Sequence, residues 1–228
     1  MTDITSRLEA VKQRIEQAAN ACGRDPASVR LLAVSKTRPA ADIRAAQAAG
    51  QRAFGENYLQ DALPKIAELA GADLEWHFIG AIQSNKTRDI AEHFDWVHTV
   101  DREKIARRLD GQRPAGMAPL NICLQVNISG EASKAGISPA EVLPLARAVA
   151  GLPQLCLRGL MAIPAATADV EAQRAAFRAL REIHEQLIAE GFDLDTLSMG
   201  MSNDLEAAIA EGSTLVRIGT AIFGARDR

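Results

Sequence analysis

The sequence predicts an α/β protein, built as a closed (β/α)8 TIM barrel with an extra N-terminal helix. Three observations carry that reading. Eight short apolar runs of strand type end near Lys36, Asn57, Gly80, Val100, Asn127, Ile163, Ser202 and Thr220. Helix-patterned stretches separate them, at 39–49, 58–69, 84–93, 102–110, 139–150, 169–189 and 203–211. The 228 residues come near the roughly 250 that eight such units typically need. An open doubly wound sheet is the main competitor, but no Gly-x-Gly-x-x-Gly follows the first strand.

The elements justify themselves in turn. Leu8, Val11, Ile15 and Ala18 recur at helical spacing within residues 5–20, with Arg and Glu between them. Gly23-Arg24-Asp25-Pro26 then makes a turn. Leu31 to Val34 is a buried strand that ends abruptly at Ser35-Lys36. Pro39 cannot continue a ladder and suits the first turn of a helix, which Gly50 stops. Ser138-Pro139-Ala140-Glu141 has the form of a capping box with proline at the first helical position. Ala172, Ala176, Phe177, Leu180, Ile183 and Leu187 give the long 169–189 helix its packing face, and Gly191 closes it. The tail after Thr220 is too short for a full eighth helix. The N-terminal helix is therefore expected to cover the gap left there. With no linker, repeat or composition break, residues 1–228 read as one domain.

Composition narrows the function. A net charge of -3 with scattered Lys and Arg offers no basic stripe for phosphate backbone, so nucleic acid is not an expected partner. The first residues lack a basic-then-apolar leader pattern, and no apolar run approaches the roughly 20 residues that span a bilayer, so no membrane is expected. Cys22, Cys123 and Cys156 are an odd number without metal-type spacing. Two of them sit in apolar strand-like runs, as small core residues do. A reducing cytoplasm fits best.

In such a barrel the strand ends converge on one face, and that face carries the chemistry. Polar residues gather there: Lys36, Glu56-Asn57-Tyr58, His77 followed by Gln83 to Lys86, and Asn127 with a loop through Lys134 and Gly136. Ser198 to Asp204 and Arg217 to Thr220 complete the set. A lysine at the end of a buried strand can lose solvation, lower its pKa and attack a carbonyl to form a Schiff base. The alternative is a lysine whose stem merely snorkels outward. Loops after strands seven and eight often hold phosphate in barrels. Ser202 and Gly219-Thr220 lie there, although Ser202 also reads as a helix N-cap and Gly219 as a turn glycine. Lys36 on the same rim suggests a phosphorylated carbonyl ligand, either a sugar phosphate or pyridoxal phosphate. Arg217, inside its strand, needs an acceptor, which a pyridine nitrogen or a barrel carboxylate such as Glu56 could provide. His77 reads as a hydrogen-bonded core histidine rather than a catalyst. No cluster argues for a metal.

Several stretches together resemble a known family. They are Val34-Ser35-Lys36, Phe54 to Tyr58, Trp76 to Gly80 with Gln83-Ser84-Asn85-Lys86, Asn127 to Glu131, Leu197 to Ser202, and Val216 to Gly224. From about residue 5 to the end, the chain resembles the pyridoxal phosphate homeostasis proteins. The resemblance implies a single fold-type III barrel similar to the N-terminal domain of alanine racemase. It implies pyridoxal 5'-phosphate (PLP) bound to Lys36 as an aldimine, Arg217 facing the pyridine nitrogen, and Ser202, Gly219 and Thr220 on the phosphate. Asn57 would lie beside the ring. It further implies a role in regulating intracellular PLP, without an established catalytic reaction.

The residues themselves favour binding over catalysis. Arginine stays protonated, so it cannot protonate the pyridine nitrogen, and the ring is a weaker electron sink than with an acidic partner. A racemase also needs an acid/base on the opposite face, and the only tyrosine is Tyr58. A PLP-binding regulator with no catalytic residue is therefore expected first, acting as a monomer with apo PLP-dependent enzymes as recipients. A racemase-like enzyme comes second and a Schiff-base aldolase third.

Overall fold

Eight parallel strands close on themselves in chain order in the computed structural model, which describes residues 3–131 and 134–225. They are β1 (Arg30–Val34), β2 (Ala53–Glu56), β3 (Glu75–Phe78), β4 (Trp96–Val100), β5 (Leu120–Gln125), β6 (Leu155–Met161), β7 (Thr196–Ser198) and β8 (Leu215–Ile218). β8 pairs with β1 from Arg30 against Leu215 to Ala33 against Ile218, so the sheet has no open edge. The helices are α1 (Ile4–Ala21), α2 (Ala40–Ala48), α3 (Leu59–Glu68), α4 (Thr87–His93), α5 (Glu103–Gln112), α6 (Pro139–Ala150), α7 (Val170–Ala189), α8 (Leu205–Ala210) and α9 (Thr220–Phe223). The predicted barrel is the one observed.

Local signals explain the helix ends. Ser138 donates its backbone N–H to Glu141 Oε2 at 2.9 Å, the carboxylate half of the expected capping box. Gly191, at φ 94°, ends α7, while Phe192 N–H reaches back to Leu187 O at 3.1 Å. One boundary differs from expectation. The seventh strand stops at Ser198, not near Ser202, because Gly200 turns the chain at φ 96°. A Cβ there would lie 2.6 Å from the Ala208 methyl carbon, so only glycine allows that turn against α8.

Strand alternation sorts the side chains into two cores. Outward residues such as Trp76, Phe78, Val97 and Ile122 join the helices in one large apolar layer. Inside the barrel, Leu32, Ala53 and Leu215 form one small cluster, and Trp96, Cys123 and Met161 another. The remaining interior is polar. Cys123 is buried as expected, and burial pushes its thiol up to about 12. Cys156 is exposed, contrary to its reading as a core residue, because it lies near the start of β6 where the strand enters the barrel wall.

The short α9 leaves the closing strand thinly covered, and α1 fills the gap. Leu8, Val11, Ile15 and Ala19 are buried along one face of α1, which packs on α2, α8 and α9. Leu8 is fully buried, so Leu8→Ala should lower the unfolding free energy by about 2–5 kcal/mol. Urea denaturation measures this, and a loss below about 1 kcal/mol would mean that α1 contributes little to the closed wall.

Candidate functional site

The end of β1 is clamped before it reaches Lys36. Ser35 Oγ donates to Glu56 Oε1 at 2.6 Å. Lys65, reaching in from α3, donates to the same oxygen at 2.8 Å and to Ser35 O at 2.9 Å. Glu56 is wholly buried, and burial raises its pKa against the opposing pull of Lys65 and Ser35. Its Oε2 has no partner among the described residues. A carboxylate and an ammonium buried together rigidify the strand end, because either one alone would be left uncompensated. Lys65 escaped sequence analysis because it sits in an ordinary amphipathic helix pattern.

Glu56 is therefore not the partner of Arg217, the carboxylate alternative raised above. Arg217 Nη1 donates to Ser198 O at 2.6 Å and to Ser198 Oγ at 2.7 Å, and Nη2 donates to Ala162 O at 2.9 Å. Burial brings its pKa down only to about 10, so it stays cationic at neutral pH. A guanidinium has five N–H donors. Three are used here, which leaves the Nε–H and one Nη2–H without a protein partner among the described residues.

Below Arg217 a polar line descends the barrel interior. Ser198 Oγ lies 2.8 Å from His98 Nδ1, His98 Nε2 lies 2.8 Å from His77 Nδ1, and His77 Nε2 lies 2.5 Å from Glu75 Oε1. Arg30 completes it with an ion pair to Glu75 at 2.6 Å. His77 is thus the hydrogen-bonded core histidine expected from the sequence. It stacks on Trp96 at 5.3 Å, and the Arg30 and Arg158 guanidinium groups lie 5.7 and 4.9 Å from the same ring. His98 had no signal in the sequence, because one histidine in an apolar strand looks like any other core residue.

Barrel closure brings the rim residues together. Lys36, Thr37, Gly219 and Thr220 line one small pocket with Val34. A Cβ on Gly219 would come 3.2 Å from Val34 O, so glycine keeps that wall thin. The β1–β2 register, with Val34 beside Gly55, puts Lys36 and Asn57 at one level on neighbouring strand ends. Asn57 Oδ1 is buried without a partner among the described residues. Ser202 stands apart from that pocket, half-buried in the loop after β7, with its carbonyl accepting from Arg14 Nη1 at 2.8 Å. It is not an N-cap, since α8 begins at Leu205 and Asp204 precedes it. A cavity of about 1080 Å³ runs along the rim past Lys134, Ile163, Met201 and Asp204 and does not include Lys36. Among the described residues, no group of three or more His, Cys, Asp or Glu side chains could hold a metal, and no helix is long and apolar enough to cross a membrane.

Thr37 is the one described non-glycine residue with positive φ, at 63°. A β-branched residue there is strained, and such strain concentrates at functional sites. Thr37→Gly should relieve it and raise the unfolding free energy by about 0.5–1 kcal/mol, after the entropy of the freer glycine is subtracted. Urea denaturation reads this directly, and a clear fall in stability would show that the Thr37 side chain contributes more than the strain costs.

Comparison with known proteins agrees with this geometry. The family model for the alanine racemase N-terminal domain matches residues 6–227. A pyridoxal phosphate homeostasis protein of Pseudomonas aeruginosa is 66% identical over 227 residues, covering 100% of this chain and 97% of that protein. PipY of Synechococcus elongatus PCC7942, solved with PLP bound, superposes with a TM-score of 0.84 at 40% identity, over 97% of this chain and 100% of its own. An alanine racemase of Clostridium difficile 630 shares the fold at 11% identity and a TM-score of 0.75, over 95% of this chain and 60% of its own. With two-thirds of its residues shared across its full length, the chain belongs to the pyridoxal phosphate homeostasis protein family.

Proposed function

We propose that this protein binds PLP at Lys36 and holds it reversibly for delivery, with no committed reaction of its own. The observation that carries the reading is the meeting of Lys36 with Gly219 and Thr220 around one pocket at the barrel seam. A primary amine and a close-packed glycine turn there suit a ligand with a carbonyl at one end and a phosphate at the other. The other residues fit the same group. Arg217 keeps two uncommitted N–H donors for the pyridine nitrogen. The orphaned Asn57 Oδ1 offers an acceptor beside the ring. Ser202, set apart from that pocket in the loop after β7, would have to approach it to join Gly219 and Thr220 at the phosphate.

When bound, PLP supplies an aldehyde that condenses reversibly with amines and a ring that withdraws electrons. The protein restrains that chemistry. Arg217 donates a hydrogen bond but keeps its proton. His77 and His98 have both ring nitrogens engaged inside the barrel, so neither reaches the rim as a base. Tyr58 is 53% exposed at the surface. An amino acid entering the pocket would find no positioned proton acceptor opposite Lys36 among the described residues. The names of the homeostasis relatives agree with a regulatory role.

The same reading makes the chain a cytoplasmic monomer, with residues 1–228 acting as one unit and apo PLP-dependent enzymes as recipients. The closed sheet leaves no edge for a partner strand. The three free cysteines suit a reducing compartment.

The protein loaded with PLP should transfer it to an apo-enzyme, regaining that enzyme's activity. Against a panel of L- and D-amino acids it should turn over no faster than Lys36→Ala purified identically. A Lys36-dependent turnover above about 1 per second, within the ordinary enzyme range, would replace this reading with that of a racemase-like enzyme.

A further inference from the structure

The line from Arg217 to Glu75 joins the two faces of the barrel, and its ends decide its direction. The Glu75 carboxylate only accepts, and it stays ionised because His77 and Arg30 hold its pKa at about 2 despite burial. His77 must therefore carry its proton on Nε2, the nitrogen 2.5 Å from Glu75. Burial lowers the pKa of both His77 and His98, so both rings are neutral. A neutral His77 with a proton on Nε2 can only accept at Nδ1. His98 must then donate from Nε2 and accept at Nδ1. Among the described residues, the donor that satisfies His98 Nδ1 is the Ser198 hydroxyl, 2.8 Å away. Ser198 Oγ is left with its lone pairs toward Arg217 Nη1 at 2.7 Å. His77, His98 and Ser198 each donate once and accept once along this line, Glu75 only accepts and Arg217 only donates, and no alternative arrangement satisfies all four contacts with neutral rings and an ionised Glu75.

We infer that Ser198, His98, His77 and Glu75 are positioning residues for the cofactor, a one-way hydrogen-bond chain that fixes Arg217 from the opposite end of the barrel. The inference rests on the PLP reading only for what Arg217 faces; the chain itself is a property of the protein alone. It explains how a buried cation keeps a defined orientation with no carboxylate hydrogen-bonded to it among the described residues. Ser198 Oγ can serve only as an acceptor toward Arg217, because its proton is committed to His98. Nη1 is thereby tied down, and the Nε–H and the second Nη2–H point where the β8 backbone and Ala162 leave them. If the acceptor at the far end were lost, His77 and then His98 could change tautomer. The Ser198 hydroxyl would be free to rotate its proton toward the guanidinium, and Arg217 would lose its fixed seat. Glu75 is the place to break the chain, because it lies at the barrel floor with its side chain about one-third exposed and touches no rim residue.

The test uses Glu75→Leu, which removes the acceptor, and Glu75→Gln, whose amide oxygen keeps one. In the protein without PLP, nitrogen-15 NMR of the histidine rings should show Nε2–H and a bare Nδ1 for both His77 and His98 in wild type and Glu75→Gln. Glu75→Leu should show mixed or reversed tautomers. With PLP added, Glu75→Leu should bind it about 3- to 10-fold more weakly with a shifted absorption maximum, while Glu75→Gln stays close to wild type. A protonated Nδ1 on His98 in wild type would overturn the inference. So would a folded Glu75→Leu whose PLP affinity and spectrum match wild type. If wild type fails to bind PLP while the NMR shows the expected tautomers, the PLP reading falls and the directed chain stands.

Discussion

The pairing of β8 with β1 is the constraint on which the site depends. Without it Lys36 would end one strand and Gly219-Thr220 would follow another, nearly two hundred residues later in the chain. The seam aligns Ala33 with Ile218, which carries Lys36 and Gly219-Thr220 onto one pocket. The N-terminal helix belongs to the same constraint. The last helix is a single turn, so α1 must cover the apolar face of the seam, and Arg14 from that helix also holds the Ser202 loop. Fold and site are joined where α1 packs on α8 and α9.

The interior of the barrel shows how that seam tolerates charge. A cation buried like Arg217 would ordinarily demand a carboxylate beside it. Here two backbone carbonyls and a hydroxyl accept its hydrogen bonds, and the Asp204 carboxylate supports its charge without bonding to it. The second buried charge pair, Glu56 with Lys65, is kept separate and braces the residue before Lys36. The two polar systems therefore divide the work. One stiffens the strand that leads to Lys36, and the other holds the Arg217 guanidinium inside the barrel. The strained Thr37 follows Lys36 directly and lines the same pocket.

Much of this was legible in the sequence, for identifiable reasons. Strand and helix periods, Pro39, Gly50, Gly191 and the Ser138-Glu141 box are local signals, and the barrel follows from their alternation. Lys36 and Gly219 stand out because a strand that ends in lysine or glycine contradicts its own apolar pattern. Lys65 and His98 do not stand out. Their roles depend on which residues the closed sheet places across the interior, and no local period encodes that. The misread end of β7 has the same origin. The run to Ser202 is apolar enough for a strand, and only the approach of Ala208 forces the turn at Gly200. Arg217 was rightly seen to need a buried partner, but its acceptors are main-chain carbonyls and a hydroxyl, which a search for carboxylates overlooks.

The central claim is that Lys36 is the amine that holds the cofactor, and covalent trapping tests it most directly. The protein loaded with PLP should show an absorption band near about 420 nm that borohydride abolishes. Peptide mapping of the reduced protein should then place the pyridoxyl group on Lys36. Label recovered mainly on Lys65, Lys86 or Lys134, with Lys36 unmodified, would contradict the account.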